Sequence, residues 1–269
     1  MNKKNIILSS LFSLFIVACN SDNLPKAENN NSLLSVNLKS EISHNSTRNI
    51  TSDDDSKFNS YKELSNYTVE LKKNTGETVL SKKYSELELS SRVSAGSYSL
   101  KVFMGEDVVA GFDKLYMEGT KTFDIMEGEK KTVDCVCVPA NARIKVNFSS
   151  DFFTYYSDCV VGVKTKYMDE PFNISKSDAG KDLFLKAGNN DEMTITFALK
   201  DKNGMAVYPK GFSEQKKNIS KRDFIKIGVR PKIVNVEGGK VEGISVIISS
   251  DVEEEVIDVI IPDEYVSEP

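Results

Sequence analysis

Tryptophan is absent from this chain of 269 residues, and histidine occurs once, as His44 in a polar stretch. A single histidine excludes multi-histidine metal sites, and nothing near His44 suggests the partners of a Ser-His-Asp triad. The sequence contains no Gly-x-Ser-x-Gly elbow, P-loop, His-Glu-x-x-His pair or EF-hand loop. We therefore expect that the protein is not an enzyme and that it carries no metal and no cofactor.

Cysteine is scarce as well, and the sequence holds only Cys19, Cys135, Cys137 and Cys159. Cys135 and Cys137 alternate with valines, a pattern typical of a strand that places both thiols on one face. Residues two apart on one strand have poor geometry for a mutual disulfide. Buried core cysteines are the simplest interpretation, because free cysteine is among the most buried residue types. The alternative is a cross-strand disulfide between Cys159 and one of the other two.

Long apolar runs are also missing. Residues 6–17 are mostly apolar, but a helix that spans a membrane needs about 20 such residues. This run follows a basic start and ends in Ile16, Val17 and Ala18 directly before Cys19, which is typical of a bacterial lipobox.

The lipobox predicts three features of the N-terminus. Residues 1–18 are expected to be a lipoprotein signal peptide, which is removed. Acyl chains on Cys19 are expected to hold the protein at a membrane, since two or three chains anchor firmly where one does not. The polar, Asn-rich residues 19–31 are expected to form a flexible tether.

Positively charged residues are fewer than negatively charged ones. Without residues 1–18 the chain keeps 33 Lys and Arg residues against 40 Asp and Glu residues. An acidic protein is not attracted to nucleic acid or to anionic lipid headgroups, because both carry negative charge. We therefore expect no nucleic-acid partner, and the contact with the membrane has to come from the acyl chains.

Helical periodicity does not persist over a useful length. Short alternating runs are instead separated by turn signals at intervals of roughly 8–12 residues, which indicates β-sandwiches or partly open barrels. We predict an all-β protein with two β-sandwich domains in tandem, over residues 32–138 and 139–269, with the boundary at Pro139. The acidic segment at residues 251–258 is either a terminal edge strand or a disordered tail.

Three shorter segments lead to further expectations. Residues 32–42 alternate and predict a first strand, which a polar stretch over residues 43–60 follows. Residues 142–148 predict a strand with Ile144 on its apolar face and Arg143 on its polar face. The aromatic cluster at residues 152–156 predicts a short helical turn or a loop packed on the core.

Several stretches resemble an uncharacterised family of Bacteroidetes lipoproteins, a domain of unknown function. The stretches that carry the resemblance are residues 94–100, 109–112, 123–138 and 142–148. This family is similar in layout to fimbrillins, the two-domain β-sandwich pilins and accessory subunits of these bacteria. The resemblance implies a fimbrillin-like, transthyretin-like pair of sandwiches.

The resemblance to fimbrillins also implies a mechanism of assembly. In those pilins an Arg-specific protease removes a first strand, and a strand of the next subunit fills the groove by β-strand addition. Here Arg48 follows the predicted first strand and is a candidate processing site, and residues 252–261 could serve as the donor. The alternative is that Arg48 is an ordinary surface residue of a loop.

Two functions of different classes remain open. The first is a non-enzymatic adhesive or fimbria-like structural role, with other fimbria-like subunits or host molecules as partners. The second is glycan binding in a polysaccharide-uptake system, where Tyr155, Tyr156 and Tyr167 either stack on sugars or belong to the core. Both functions place a lipoprotein in the outer membrane. Cell-surface display is expected, but the family's export signal usually has several acids behind the lipidated cysteine and here only Asp22 is present.

Overall fold

The computed structural model describes residues 31–42, 56–207, 214–234, 240–250 and 254–260. In these ranges the regular structure is almost entirely β, which confirms the predicted fold class. The strands of the first half are β1 (Ser32–Ser40), β2 (Thr68–Lys73), β3 (Thr78–Lys83), β4 (Ser91–Val93), β5 (Gly96–Met104), β6 (Ala110–Phe112), β7 (Met117–Ile125) and β8 (Lys130–Pro139). Those of the second half are β9 (Asn141–Phe148), β10 (Tyr156–Thr165), β11 (Phe172–Ile174), β12 (Leu183–Lys186), β13 (Asp191–Asp201), β14 (Ala206–Val207), β15 (Gln215–Ile219), β16 (Phe224–Val234), β17 (Lys240–Ser250) and β18 (Glu254–Ile260).

Helical structure within the described residues is short. The single α-helical turn α1 (Phe152–Tyr155) lies in the aromatic cluster, for which the sequence left a helical turn or a loop open, and it buries Phe152. The 3-10 helices are Ser56–Lys62, Leu64–Asn66, Tyr84–Glu86 and Lys176–Asp178. Among the described residues, none of the helices combines the length and the apolar character that crossing a membrane requires.

The strands of the first half form a seven-stranded sheet in the order β3-β2-β5-β7-β8-β1-β4. Alternate residues of these strands point inward, as a period of two requires, and they enclose one cluster of buried side chains that we call the first core. Leu34, Val69, Leu100, Val133 and Cys135 show the pattern, since each is at most 7% exposed.

The second half consists of two facing sheets. One has the order β11-β10-β13-β14, with β15 also paired to β13, and the other has the order β18-β17-β16-β9-β12-β6. Between them lies the second core, to which β9, β10, β13, β16 and β17 contribute buried aliphatic side chains. The sheet pair is therefore a sandwich.

The two halves exchange structural elements. Strand β6 comes from the first half of the sequence but pairs with β12 at the end of the six-stranded sheet, in the register Phe112↔Leu183 to Ala110↔Leu185. Conversely, Phe184 of β12 is buried in the first core, whereas its neighbour Leu185 is buried in the second core. The division into residues 32–138 and 139–269 stays a prediction.

The three cysteines in the described ranges are free and buried. Cys135 and Cys137 belong to the first core and Cys159 to the second core, so the structure contains none of the disulfides that the sequence left open. Both thiols of β8 face inward, as their spacing predicted.

The structure also bears on two further expectations, which concern the acidic C-terminal segment and Pro139. The described part of the acidic C-terminal segment belongs to β18, an edge strand that pairs antiparallel with β17. Pro139 closes β8 and lies opposite Met117, so it ends the strand and the next strand begins two residues later. The proline therefore marks the passage from the first sheet to the second half.

Candidate functional site

The candidate site residues near the N-terminus lie outside the described residues. These are Cys19, the lipobox residues Ile16, Val17 and Ala18, His44 and the candidate processing residue Arg48. The predicted first strand is described, as β1. The candidate functional site is therefore β1 together with the groove that its neighbours form around it.

The main chain of β1 is held differently on its two edges. On one edge it pairs parallel with β8 over eight residue pairs, from Leu33↔Lys130 to Ser40↔Cys137. On the other edge it pairs antiparallel with β4 only from Ser32↔Val93 to Leu34↔Ser91. The ladder with β8 therefore provides most of the main-chain contacts of β1.

The side chains of β1 alternate between the core and solvent. Leu34 is 2% exposed and Leu38 is 6% exposed, and both belong to the first core. Asn37 and Lys39 point away from the core and are exposed. Two buried leucines contribute roughly 1.5–3 kcal/mol each through the hydrophobic effect, so β1 closes one side of the first core.

The N-terminal end of β1 is fixed by the turn between β7 and β8. The Ser32 hydroxyl donates to the Met126 carbonyl at 2.8 Å and accepts from the Gly128 amide at 3.1 Å. The amide of Leu33 donates to the Glu129 carbonyl at 2.8 Å. These contacts set the register with which β1 enters the groove.

The C-terminal end of β1 contacts the 3-10 helix Ser56–Lys62, which we call the bridging helix. The Ser40 hydroxyl donates to the Tyr61 carbonyl at 2.9 Å and lies 2.8 Å from the Tyr67 hydroxyl. Tyr67 also donates to the Tyr61 carbonyl, at 2.8 Å. Burial raises the pKa of Tyr67 to about 12, so its hydroxyl keeps its proton at neutral pH and remains a donor.

On its other side the bridging helix covers a buried ion pair, which sequence reasoning missed. The Arg143 guanidinium donates from Nε to Asp182 Oδ1 at 2.9 Å, and its terminal nitrogen lies 2.8 Å from the same oxygen. The two side chains are only 2% and 1% exposed. Lys145 lies 3.2 Å from Oδ1 and Lys57 lies 3.5 Å from Oδ2 of the carboxylate.

Two aromatic rings complete the surroundings of the ion pair. The guanidinium carbon of Arg143 lies 4.2 Å from the centre of the Phe224 ring and 5.2 Å from that of Phe58. Arg143 lies on the face of its strand opposite to Ile144, as the alternation predicted, but Phe58 of the bridging helix covers that face. No signal in the sequence announces the pair, since Asp182 stands alone before the apolar run of β12.

The tyrosines considered for sugar stacking are not equivalent. Tyr156 is 4% exposed, stacks on Phe152 with ring centres 5.0 Å apart and donates its hydroxyl to the Gly243 carbonyl at 2.9 Å. Its ring is a core component and cannot present a face to a glycan. Tyr155 and Tyr167 are half-buried. Within the described ranges, no group of three or more His, Cys, Asp or Glu side chains is placed to hold a metal ion.

The fold and the groove define a class before any comparison: an all-β protein with two sandwich cores and a terminal strand set into the first. The chain belongs to the family described as Domain of unknown function (DUF4493), whose model matches residues 33–263. This membership confirms the prediction of an uncharacterised family.

The comparison with curated sequences and the comparison with solved structures gave different results. No curated protein sequence matches the chain. The chain is similar to the fimbrial anchor protein Mfa2 from Porphyromonas gingivalis, with 11% identity, a TM-score of 0.42 and coverage of 85% of this chain and 99% of that one. It is also similar to a fimbrial assembly protein from Parabacteroides distasonis, with 9% identity, a TM-score of 0.40 and coverage of 84% and 96%. Similarity at this level carries no inference about activity.

Proposed function

We propose that the protein is a lipid-anchored, non-enzymatic structural subunit of a cell-surface assembly, in which a strand of another subunit can replace β1. The observation that carries the proposal is the way in which β1 is held. Its affinity comes from the ladder with β8 and from alternate buried leucines. Any extended segment with the same alternation could reproduce both kinds of contact.

The chain connection after β1 supports the same proposal. Between Ser40 and Ser56, where the bridging helix begins, the sequence includes Arg48. A cut after Arg48 would leave β1 held to the remaining chain by non-covalent contacts alone. Replacement of β1 would then be a competition between two strands for one groove.

The C-terminal segment, residues 252–261, is the donor that the sequence suggests. It includes β18, which lies at the edge of its sheet and, among the described strands, pairs only with β17. Val256 of this strand is 52% exposed, while Ile257 packs on the second core. An edge strand leaves its own sheet at a lower cost than an interior strand, because it gives up only one ladder.

The membrane part of the proposal rests on the sequence. Acyl chains on Cys19 would hold the subunit in the outer membrane, with residues 19–31 as the tether and the two sandwiches on the cell surface. Other subunits or host molecules would be the partners. For the alternative, glycan binding in polysaccharide uptake, Tyr156 is not a stacking residue because it lies inside the core, which leaves Tyr155 and Tyr167 as candidates.

The proposal is tested by controlled proteolysis. The chain without residues 1–19 is treated with an Arg-specific protease, and a synthetic peptide of residues 252–261 is then added. We expect cleavage after Arg48, displacement of the β1 fragment by the peptide and, without peptide, slow formation of oligomers in size-exclusion chromatography. The variant Arg48→Gln should stay uncut and monomeric. Cleaved protein that keeps its β1 fragment against excess peptide would contradict the proposal.

The N-terminus of the native protein provides a second test. Protein recovered from bacterial outer membranes should begin either at an acylated Cys19 or at Asn49. A start at Asn49 would indicate a polymerising subunit whose first strand has been removed. A start at Cys19, with clipping by protease on intact cells, would indicate an anchor or adhesin at the cell surface.

A further inference from the structure

The bridging helix contacts β1 at one end and the second half, including the buried ion pair of Arg143 and Asp182, at the other. At its C-terminal end the Tyr61 carbonyl accepts from Ser40, the last residue of β1, at 2.9 Å. The Tyr61 hydroxyl donates to the Leu115 carbonyl at 3.0 Å, just before β7. This end of the helix is therefore held by groups of the first half.

The N-terminal end of the bridging helix is held by the second half. Lys57 lies 3.5 Å from Asp182, and the Phe58 ring makes an edge contact with Phe184 at a centroid distance of 6.1 Å. The same ring lies 5.2 Å from the guanidinium carbon of Arg143. Phe58 is 9% exposed, so it is buried between the two halves.

We propose that the bridging helix couples the seating of β1 to the packing of β12, so that loss of β1 loosens the junction between the halves. The proposal deepens the proposed function, on which its biological meaning rests. It adds that exchange of the first strand changes how firmly the second half is held, and not only what fills the groove.

The coupling follows from the contacts of the groups involved. When Ser40 leaves, the Tyr61 carbonyl keeps Tyr67 as a donor at 2.8 Å but loses the bond at 2.9 Å that ties this end of the helix to β1. Loss of one such hydrogen bond costs about 1 kcal/mol. Without this bond the C-terminal end of the bridging helix is held less firmly against the first half and can move. Since Phe58 is in the next turn of the same helix, such a movement changes its contact with Phe184 and Arg143.

Space for the movement is available. A cavity of about 560 Å³ lies beside the bridging helix and is lined by Lys57, Phe58, Tyr61, Asp113, Ala179, Gly180 and Lys181. Close-packed interiors resist displacement, whereas a helix with a cavity on one side can shift without a clash. The side of the bridging helix that faces this cavity is therefore not closely packed.

Amide hydrogen exchange on the uncut, full-length chain tests the coupling. The variant Ser40→Ala removes the hydroxyl that contacts Tyr61 and Tyr67. The matched control is Asn37→Ala, which also removes one side-chain hydrogen bond of β1, from Asn37 Nδ2 to Asp134 Oδ1 at 3.0 Å, but on the exposed face. The readout is the exchange rate of the β12 amides, with the amides of β13 as the reference inside the second half.

We expect Ser40→Ala to speed exchange in β12 about fivefold, the change that loss of one hydrogen bond produces, and to leave β13 unchanged. Asn37→Ala should change neither strand. In a Phe58→Ala background the Ser40 substitution should have no further effect on β12, because the route through the helix is already interrupted.

Three results would overturn the coupling: equal acceleration in β12 and β13, equal effects of the two β1 variants, or an undiminished effect of Ser40→Ala without Phe58. Because this experiment uses no protease and no donor peptide, it separates the two proposals. Coupling in a chain that never exchanges its first strand would leave this inference standing while the proposed function fails.

Discussion

At the scale of single residues, the charged side chains belong to two energetically different groups. Most ion pairs lie at the surface, such as Lys216 and Glu192, whose side chains are 54% and 55% exposed. Solvent screens these pairs, and their net effect on stability is small. Arg143 and Asp182 differ because both side chains are buried, so the Asp182 carboxylate compensates a guanidinium charge that water does not reach.

The buried ion pair leads to the first prediction. Asp182→Asn leaves the Arg143 guanidinium buried without its counter-charge, and we expect the free energy of unfolding to fall by about 3–5 kcal/mol. The isosteric control is Glu192→Gln, for which we expect no measurable change. Urea denaturation of both variants at neutral pH checks the difference. Equal stability of the two variants would contradict the prediction, because it would show that the buried Arg143 guanidinium does not need the charge of Asp182.

A second prediction concerns the pH dependence of stability. Burial raises the pKa of the Cys159 thiol from its ordinary value of 9.0 to about 12. Between these two values the folded thiol keeps its proton while the unfolded thiol releases it. The contribution of Cys159 to the free energy of unfolding is therefore fully present below about pH 9 and is lost as the pH rises toward about 12. A hydrogen bond with Cys135, together with burial, raises the pKa of Cys137 in the same direction.

The variant Cys159→Ala tests this prediction, because it removes one titrating group and leaves the others. We expect its free energy of unfolding to fall less steeply over the same pH range, whatever its absolute stability at neutral pH. Denaturation curves at pH 8, 9, 10 and 11 measure the two slopes. Parallel slopes would mean that Cys159 does not titrate differently in the folded and unfolded chain.

At the scale of elements, the crossing of β7 and β8 limits which residues fit. The two strands pair only at Met117↔Pro139 and Glu118↔Val138, and Gly119, the next residue of β7, lies close against the backbone of β8. A Cβ atom on Gly119 would lie 2.5 Å from the Val136 carbonyl oxygen and 2.8 Å from Cys135 Sγ. Glycine is therefore required here by close approach of a neighbouring backbone.

The third prediction follows from this crossing. Gly119→Ala forces the β8 backbone to move, and we expect a loss of about 1–3 kcal/mol from overpacking. Gly228→Ala in β16 is the matched control, since its added Cβ would meet Ile247 at the ordinary distance of 3.6 Å. Thermal unfolding of both variants should show a clear decrease in Tm for Gly119→Ala alone. A similar Tm for the two variants would contradict the steric explanation.

At the scale of the whole molecule, the two sandwich cores are joined through β12. Phe184 points into the first core and its neighbour Leu185 into the second core, as the alternation of a strand dictates. Strand β6 contributes from the opposite direction by pairing with β12. The two halves are therefore joined by the packing of β12 and its pairing with β6, in addition to the chain connection between β8 and β9.

This arrangement leads to the fourth prediction. Phe184→Ala should speed amide exchange in the seven-stranded sheet although the residue belongs to β12, with a total loss of about 3–5 kcal/mol. Leu185→Ala, one residue further on, should affect the second half and leave the first sheet protected. Hydrogen exchange read by mass spectrometry of peptides from each half distinguishes the two. Identical patterns for both variants would show that the cores do not depend on separate faces of β12.

The sequence by itself determined the all-β class, many strand positions and the inward direction of Cys135 and Cys137, and it left a helical turn or a loop open at residues 152–156. These features depend on local periodicity, because a period of two and its turn signals are written in neighbouring residues. The lipobox before Cys19 and the candidate processing residue Arg48 are likewise local patterns, and they stay predictions. The first strand, on which the proposed function depends, belongs to this predictable part.

Only the tertiary structure decided which segments meet. It placed Ser40 against Tyr61, buried Arg143 with Asp182 under Phe58, and set β6 beside β12. Periodicity assigned Arg143 to a polar face because it registers the alternation of one strand and not what lies over it. The partners in these contacts are far apart in sequence, as Arg143 and Asp182 are, and the energy of such a pair exists only after the chain has brought both charges out of water.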